Sequence, residues 1–433
     1  MRPVYNRTAA RTAAALCGGL VLAMSLPANA AVDAKLLEML RANGSINQAQ
    51  YAELQTELAK DQQAAAAAQT AKSQTMSDFE KKIAWAAKTQ IKGDIRLRQE
   101  NVDVEGESAD GGIDKNRQRI RARIGAYTEI NPQVDAGIRI ASGGGADSRS
   151  TNQDLDGRFE KKQLWLDLAY IDYHPDAIKN LHVIGGKMNQ PWTSMGDMIW
   201  DSDINPEGLA LAYKVPLAGK TELFGSAGYY TLEDNVDGDG VQFKNDLRMY
   251  AGQLGAKIAA TDNLSLTVGG SVYGFDGDSD GQLVATTTSP VANRASGGNT
   301  PGGEFRLYEG FGQLDISGLP LPLSIYGQYV VNDEAVDDQD TAWLAGFKTK
   351  VWELKFDYNY RDVQRNAVVA GFADSDFALG KTGSRGHKFK VGYDIDKNFS
   401  IGAAYLMATS DYVTSTRRDA DADILQLDAE VKF

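Results

Sequence analysis

The feature that most constrains this 433-residue chain is a repeated alternation of apolar and polar residues beyond position 88. Residues 91–98 are a clear example, because isoleucines, a glycine and a leucine alternate there with lysine, aspartate and arginines. A period of two places successive side chains on opposite faces of a β-strand. About sixteen such segments follow one another to the last residue, and most have roughly the 9–11 residues that a tilted membrane strand needs.

The connections between these segments alternate between long and short. The long ones are polar and rich in Gly, Asp and Ser, and they span 101–116, 143–161, 189–207, 232–247, 275–304, 333–340, 362–385 and 410–423. The others are tight turns, such as 131–133 and 396–397. A soluble β-sandwich has no reason to lengthen every second loop, whereas outer-membrane barrels combine short periplasmic turns with long extracellular loops. The chain is therefore predicted to be an all-β transmembrane barrel of about 16 antiparallel strands, over residues 89–433.

Aromatic residues support this prediction. Eleven tyrosines lie mostly on the apolar phase of their strands and near strand ends, where interfacial girdles form. General enrichment of Tyr in strands explains some of them, but not so regular a phase. The last residue, Phe433, closes an alternating strand. A carboxy-terminal aromatic in this position resembles the signal read by the outer-membrane assembly machinery, so Phe433 is the predicted assembly signal and that machinery a predicted partner.

The amino terminus has the layout of a secretory signal peptide. Three arginines and an apolar run at 13–26 precede small residues at Ala28 and Ala30, which predicts a signal peptide over residues 1–30. The apolar run is too short to favour an uncleaved anchor, and no later stretch reaches eighteen apolar residues. The single cysteine, Cys17, lies inside this segment, so the mature chain is predicted to contain no disulfide.

Residues 31–88 have a helical rather than a strand pattern, with leucines at helical spacing and a break at 43–45. We interpret them as a short periplasmic helical or coiled-coil segment, because an even number of strands puts both chain ends in the periplasm. Two roles stay open for it. One is a coiled coil or tether that holds protomers together, and the other is a solvated helix that leads into the barrel.

The polar phase of the first three predicted strands is strongly cationic. Its arginines cannot face lipid, since the opposite phase of the second strand is apolar, so they are predicted to line the lumen. We interpret them as one basic wall of a constriction that favours anions. The alternative is that they pair with acids on neighbouring strands and brace loops. The residues of the predicted basic wall are Arg96, Arg98, Arg117, Arg119, Arg121, Arg123 and Arg139.

Over nearly its whole mature length, the chain resembles the putative porin family of Gram-negative bacteria. The segments that carry the resemblance are 36–58, 91–98, 116–125, 185–192 and 200–209. It implies an outer-membrane barrel that conducts small hydrophilic solutes as a homotrimer, surrounded by outer-membrane lipid and lipopolysaccharide. The order of helix and arginines also looks like that of phosphate-selective porins, although their dense arginine and lysine ladders are only partly matched.

The third long loop is the predicted constriction loop. Third loops fold into the barrel in porins generally, and two tryptophans would give an infolded loop a surface to pack, whereas freely solvated loops rarely carry two. The acidic residues of this loop would then lie opposite the arginines. Its predicted site residues are Trp192, Asp197, Trp200, Asp201, Asp203 and Glu207.

Metal and enzyme sites find little support in the sequence. The Asp-rich segment 276–281 matches the first half of a calcium-binding EF-hand loop, but Thr287 stands where a bidentate Glu is required. Segment 234–240 is a looser match, so solvated loops are favoured over calcium sites. The three histidines are scattered and no nucleophile or metalloprotease motif is present. We therefore predict no enzyme, no metal and no cofactor. A net charge of -13 also argues against nucleic-acid binding.

Three functions compete at this point. The favoured one is a passive diffusion channel for small hydrophilic solutes that prefers anions. The second is a substrate-specific porin of the phosphate or oxyanion type, for which saturable block by one solute would be diagnostic. The third is a structural protein that links the outer membrane to the cell wall through residues 32–85.

Overall fold

A computed structural model describes residues 34–105, 112–145, 147–217, 220–233, 246–277, 298–411 and 419–433. The predicted signal peptide, residues 1–30, lies outside the described residues. So do segment 234–240 and residues 278–281 and 287 of the two calcium alternatives.

Among the described residues, two helices precede the strands, α1 (Ala34–Ala42) and α2 (Gln48–Ala87), and the amino-terminal unit ends within α2, at Ile83. Gly44 lies in the break between them with a φ of 76°, which a glycine adopts without strain. At the start of α2, the Asn47 side chain accepts a bond from the Gln50 N–H, and the Gln50 side chain accepts one from the Asn47 N–H, both at 3.0 Å. This reciprocal pair is a capping box, which satisfies two backbone donors that the helix leaves free. None of the described helices is both long and apolar enough to cross a membrane.

In the described part of the second unit, seventeen antiparallel strands form a closed sheet. The strands are β1 (Thr89–Val104), β2 (Ile113–Asn131), β3 (Val134–Ser142), β4 (Gln153–Asp154), β5 (Leu164–Tyr173), β6 (Leu181–Lys187), β7 (Glu207–Pro216), β8 (Glu222–Glu233), β9 (Leu247–Thr261), β10 (Leu264–Gly277), β11 (Arg306–Ile316), β12 (Leu323–Asn332), β13 (Thr341–Val351), β14 (Leu354–Val363), β15 (Ser384–Asp394), β16 (Phe399–Ser410) and β17 (Ala420–Lys432). Strand β4 has only two residues and pairs with β2 beyond the end of β3. The other sixteen strands form the barrel, which confirms the predicted fold class.

The barrel closes where the last strand pairs with the first. Residues of β1 from Asp94 to Val104 lie opposite residues of β17 from Lys432 to Ala422. Gly93 and Phe433 exchange two backbone hydrogen bonds, of 2.9 and 3.0 Å. A methyl group added to Gly93 would lie 2.6 Å from the Phe433 ring, so the ring occupies the space that the missing side chain leaves. The terminal residue therefore completes the seam and leaves no free sheet edge there.

The two faces of the barrel have opposite polarity. Apolar side chains point outward, as the exposed fractions of Ile95 (45%), Leu97 (52%) and Ile124 (46%) illustrate. The intervening polar residues point into the lumen, where Arg98 and Arg121 are each 7% exposed. Nine of the eleven tyrosines are on the outer face, where Tyr358, for example, lies opposite the exposed Phe347. The prediction was wrong for the other two. Tyr127 lies on the same phase of β2 as Arg121, and Tyr170 packs against the core inside the barrel. This inside-out arrangement is the pattern that a lipid environment requires.

Part of the lumen is filled by a hydrophobic core that two loops supply. The first is the third long loop, which contributes Trp192 and Trp200. The second is the segment between β14 and β15, in which residues 367–370 are at most 2% exposed. The sequence analysis predicted this second segment to be a polar, outward loop, and that prediction was wrong. Its Ala-Val-Val-Ala run is apolar, and folding it into the barrel removes that surface from water.

Candidate functional site

The pairing of β1 with β2 brings the predicted arginines together in rows. Arg96 lies directly opposite Arg121, and Arg98 lies opposite Arg119. Like charges directly across a sheet repel each other. The lumen must therefore supply negative charge close to them, and most of it comes from carboxylates of the barrel wall.

Asp94 and Glu430 neutralise the arginines at one end of the rows, Arg121 and Arg123. Asp94 accepts hydrogen bonds from Arg121 at 2.9 Å and from Arg123 at 2.8 Å. Arg121 also donates to Glu430 on β17 at 2.7 Å. Arg123 reaches Asp203 of the third loop at 3.4 Å. These bonds tie the seam of the barrel to the loop inside it.

Glu100 forms ion pairs with the arginines at the other end of the rows, Arg117 and Arg119. Its carboxylate, only 1% exposed, forms ion pairs with Arg117 and with Arg119, the latter at 3.5 Å. Both arginines also pair with Asp154 of β4, at 3.1 and 2.9 Å. Burial raises the pKa of Asp154, but Arg119 and Arg117 outweigh it and hold that pKa below its usual value. The short strand β4 is thus fixed to the wall by charge.

Arg98 and Arg139 are paired as well. Arg98 donates to Asp428 on β17 at 2.7 Å and to Asp376, in the segment after β14, at 3.2 Å. Arg139 on β3 forms an ion pair with Asp167 on β5. Six of the seven predicted arginines therefore have a carboxylate partner within the described chain, which is the geometry that the alternative interpretation of the arginines required.

Arg96 is the exception. It donates from Nη2 to the Asn152 side-chain oxygen at 2.7 Å. Within the described ranges, no carboxylate oxygen lies within 4.0 Å of its guanidinium nitrogens.

The third long loop is anchored inside the barrel by aromatic packing. The rings of Trp192 and Trp200 lie 5.0 Å apart, and Trp192 meets Tyr230 of β8 edge-on at 5.7 Å. Trp200 packs against Tyr273 of β10 at 5.2 Å. Such pairs add stability beyond the area that they bury. Among the predicted loop residues, only Glu207 is elsewhere, because it begins β7 and pairs with Lys187 at 2.7 Å.

The third loop and the segment after β14 bind each other through their backbones. The Asp201 N–H donates to the Phe372 carbonyl at 2.7 Å, and the Asp374 N–H donates to the Asp197 carbonyl at 2.9 Å. The Asp201 carboxyl accepts a 3.0 Å bond from the Ser375 N–H. We call residues 197–203 together with 372–376 the loop clasp. It sets several acidic groups within the lumen.

A buried ion cluster fixes the loop clasp to the wall. Asp374 accepts bonds from Arg361 on β14 at 3.0 Å and from Lys388 on β15 at 2.5 Å, and Lys388 also reaches Asp197 at 3.3 Å. Burial raises the pKa of Asp374, but Lys388 and Arg361 outweigh it and hold the pKa below its usual value. The pKa of Asp201 is raised well above its usual value, first by burial and then by Asp374 and Asp197.

A cavity of about 650 Å³ lies between the loop clasp and the wall formed by β1, β2 and β12–β17. Among the described residues, nine basic and seven acidic side chains line it. Sequence reasoning missed six of the basic ones, which are Arg149, Lys348, Lys350, Lys355, Lys388 and Lys390. Two pairs of them are two residues apart and alternate with outward residues such as Phe347 and Phe389, which is the signal that was available.

Two of these lysines have little negative charge close to them. The Lys348 ammonium lies 4.6 Å from the centre of the Tyr326 ring, and no carboxylate of the described chain forms an ion pair with it. Lys390 is 4.0 Å from Asp197, a carboxylate that is closer to Lys388. Together with Arg96, they leave positive charge facing the cavity.

Comparisons with known proteins agree with this architecture. The sequence profile of the family described as Putative porin matches residues 108–300 and 313–433. The high-pH structure of OprB from Pseudomonas putida is 12% identical, covers 83% of this chain and 97% of its own, and superposes with a TM-score of 0.53, which shows a shared fold. The complex of Salmonella typhi OmpF with daunomycin is 13% identical over 80% of this chain and 97% of its own, with a TM-score of 0.48.

A curated relative matches a short stretch much more closely. Phosphate starvation-inducible protein 1 of Pseudomonas fluorescens is 75% identical over 32 residues, which is 7% of this chain and 82% of that protein. The chain belongs to the Putative porin family, and family and fold together indicate an outer-membrane porin channel rather than an enzyme.

Proposed function

We propose that the protein is a passive diffusion channel for small hydrophilic solutes and that it prefers anions. The observation that carries the proposal is the excess of basic over acidic side chains around the 650 Å³ cavity. Arg96, Lys348 and Lys390 supply the charge that nearby carboxylates compensate least. Fixed cations in a narrow, low-dielectric passage lower the energy of an anion there and raise that of a cation.

The passage lies between two walls of opposite charge, one formed by the loop clasp and the other by the barrel. Five acidic residues of the clasp lie on the loop side, and most of the basic groups lie on the barrel wall. These acidic residues are Asp197, Asp201, Asp203, Asp374 and Asp376. The hydrophobic core around Trp192 and Trp200 fills another part of the lumen. Solutes are therefore expected to pass beside the wall of β1, β2 and β12–β17, across the field between the two sets of charges.

The test is the reversal potential of the purified protein in a planar bilayer under a potassium chloride gradient. The wild-type channel is expected to be anion-selective, and the double variant Lys348→Gln/Lys390→Gln is expected to move towards cation selectivity because it removes two lumenal charges. The matched control is Lys220→Gln, since that exposed lysine pairs with Asp262 outside the cavity. A cation-selective wild type, or a double variant that equals the control, would contradict the proposal.

The remaining elements of the proposal concern the assembled protein. Residues 1–30 are removed on export, residues 31–88 lie in the periplasm, and the mature chain forms a homotrimer in outer-membrane lipid and lipopolysaccharide. The assembly machinery recognises Phe433. Membership of the family and the completed seam at Phe433 support these statements. Chemical cross-linking in native membranes tests the trimer, and a homogeneous monomer would contradict it.

A second candidate function is uptake of phosphate or a related oxyanion. It is favoured by the name of the Pseudomonas fluorescens relative, which is 75% identical over 32 residues. The test is to compare the abundance of the protein in phosphate-limited and phosphate-replete cultures, together with phosphate uptake by a strain that lacks it. Unchanged abundance and unchanged uptake would remove this candidate and leave the general channel.

A further inference from the structure

Arg96 stands out because every other predicted arginine of the wall is neutralised. Its direct neighbour across the sheet, Arg121, has two carboxylate partners, Asp94 and Glu430. Arg98, two residues along the same strand, has Asp428 and Asp376. On its other side Arg96 lies opposite Glu430 of β17, but that carboxylate pairs with Arg121, and the described hydrogen bond of the Arg96 side chain goes to the neutral amide of Asn152.

The side chains around Arg96 are held in place by hydrogen bonds. Nη2 donates to the Asn152 side-chain oxygen at 2.7 Å, and the Asn152 amide and backbone N–H each lie 3.3 Å from the Ser150 hydroxyl. The neighbouring Thr151 is held by the Asp203 carboxylate at 2.9 Å. Arg96 Nε is buried and has no hydrogen-bond partner among the described atoms. Arg96 and Asn152 both line the 650 Å³ cavity.

A partly buried cation without a counter-charge is costly, and two like charges next to it raise that cost. All the surrounding arginines avoid the cost through carboxylates. An anion in the cavity would provide the missing charge at Arg96. A guanidinium group offers paired donors in one plane, which match two oxygens of a phosphate, sulfate or carboxylate better than they match a spherical halide.

We propose that Arg96 and Asn152 form an oxyanion-binding station within the channel, which solutes occupy briefly as they pass. The inference rests on the proposed anion preference and sharpens it to small oxyanions. Conduction requires such a station to be weak enough to release its solute. The paired arginines then hold loops and seam in place. Recognition of the solute falls to Arg96, which among the seven predicted wall arginines has no ion pair with a described carboxylate.

The experiment measures block of the chloride current by inorganic phosphate across a planar bilayer. In the wild type, block is expected to saturate with phosphate concentration. Arg96→Gln is expected to weaken it by about tenfold or more, because a charge-assisted bond to the solute is lost. Arg96→Lys keeps the charge but not the planar donors, so it is expected to keep the reversal potential and still weaken the block.

The matched control is Arg119→Gln. It also removes one cation, but Arg119 pairs with Glu100 and Asp154 and is not among the described residues that line the cavity. It is expected to retain the wild-type block. Anion selectivity without saturable block, or equal loss of block in Arg119→Gln, would overturn the station and leave the anion-preferring channel standing. A wild type without anion selectivity would instead overturn the proposed function.

Discussion

Asp201 is a buried acidic residue of the loop clasp whose pKa is raised. It is 7% exposed, and its two carboxyl oxygens accept backbone bonds from Asp203 at 2.9 Å and Ser375 at 3.0 Å. Its raised pKa comes from burial and from Asp374 and Asp197. Because the folded pKa is above the unfolded one, ionised Asp201 weakens the folded state at high pH. That cost is relieved as the pH falls through the raised pKa.

We therefore expect Asp201 to stay protonated at pH values where ordinary aspartates are ionised. Infrared difference spectra of wild type and Asp201→Asn should show a protonated-carboxyl band that only the wild type contains. The same comparison with Asp262→Asn, whose carboxylate is 88% exposed, should show no such band. Identical difference spectra for the two variants would contradict the assignment.

The pairing of the arginines shows what a local pattern can and cannot predict. The alternation of residues 91–98 was sufficient to place Arg96 and Arg98 in the lumen, since the phase of a strand is set by its nearest neighbours. The partners were not predictable, because Arg98 pairs with Asp428, 330 positions later in the chain. Such a pair depends on how the barrel closes, and a single strand contains no information about that.

At the scale of elements, the sixteen strands were predicted from the period of the sequence, whereas the infolding of the third loop was expected from the resemblance to porins and from the two tryptophans of that loop. The burial of the segment after β14 was not predicted, because its apolar residues 367–370 pack against the third loop rather than against their own neighbours in the sequence. Its Asp374 is also unremarkable in sequence. Only the approach of Arg361 and Lys388 makes it the centre of an ion cluster.

The variant Asp374→Asn tests whether this ion cluster holds the loop clasp. It leaves Arg361, 2% exposed, and Lys388, 4% exposed, with less negative charge than their burial requires. Removing one partner of a buried ion pair costs about 3–5 kcal/mol. We expect the clasp to become mobile, which limited proteolysis of the segment after β14 and excess single-channel current noise would detect.

The matched control for that variant is Asp333→Asn. Its carboxylate pairs with Arg306 at 2.9 Å, but both side chains are more than 40% exposed, so solvent screens the pair and the loss of stability is expected to be small. Equal proteolysis of the two variants would show that the ion cluster does not hold the clasp.

At the scale of the whole molecule, the chain divides into an amino-terminal unit that ends at Ile83 and a barrel unit that begins at Ala84. Every strand and every lumenal charge discussed above belongs to the barrel unit. Because the seam is made by β1 and β17 alone, removal of residues 34–83 leaves each strand pair intact. The deletion variant is therefore expected to form channels with the conductance and selectivity of the full chain.

The same deletion separates the two roles that stay open for the helices. If they join protomers or attach the envelope, the variant should dissociate more easily on semi-native gels, or release outer membrane from the cell wall, while its conductance is unchanged. If they are only a solvated helix that leads into the barrel, neither property should change. A longer deletion that also removes Thr89–Val104 is the control, since it opens the seam and exposes the edges of β2 and β17, and no stable channel should form. Loss of conductance in the shorter deletion would show that the barrel depends on the helices after all.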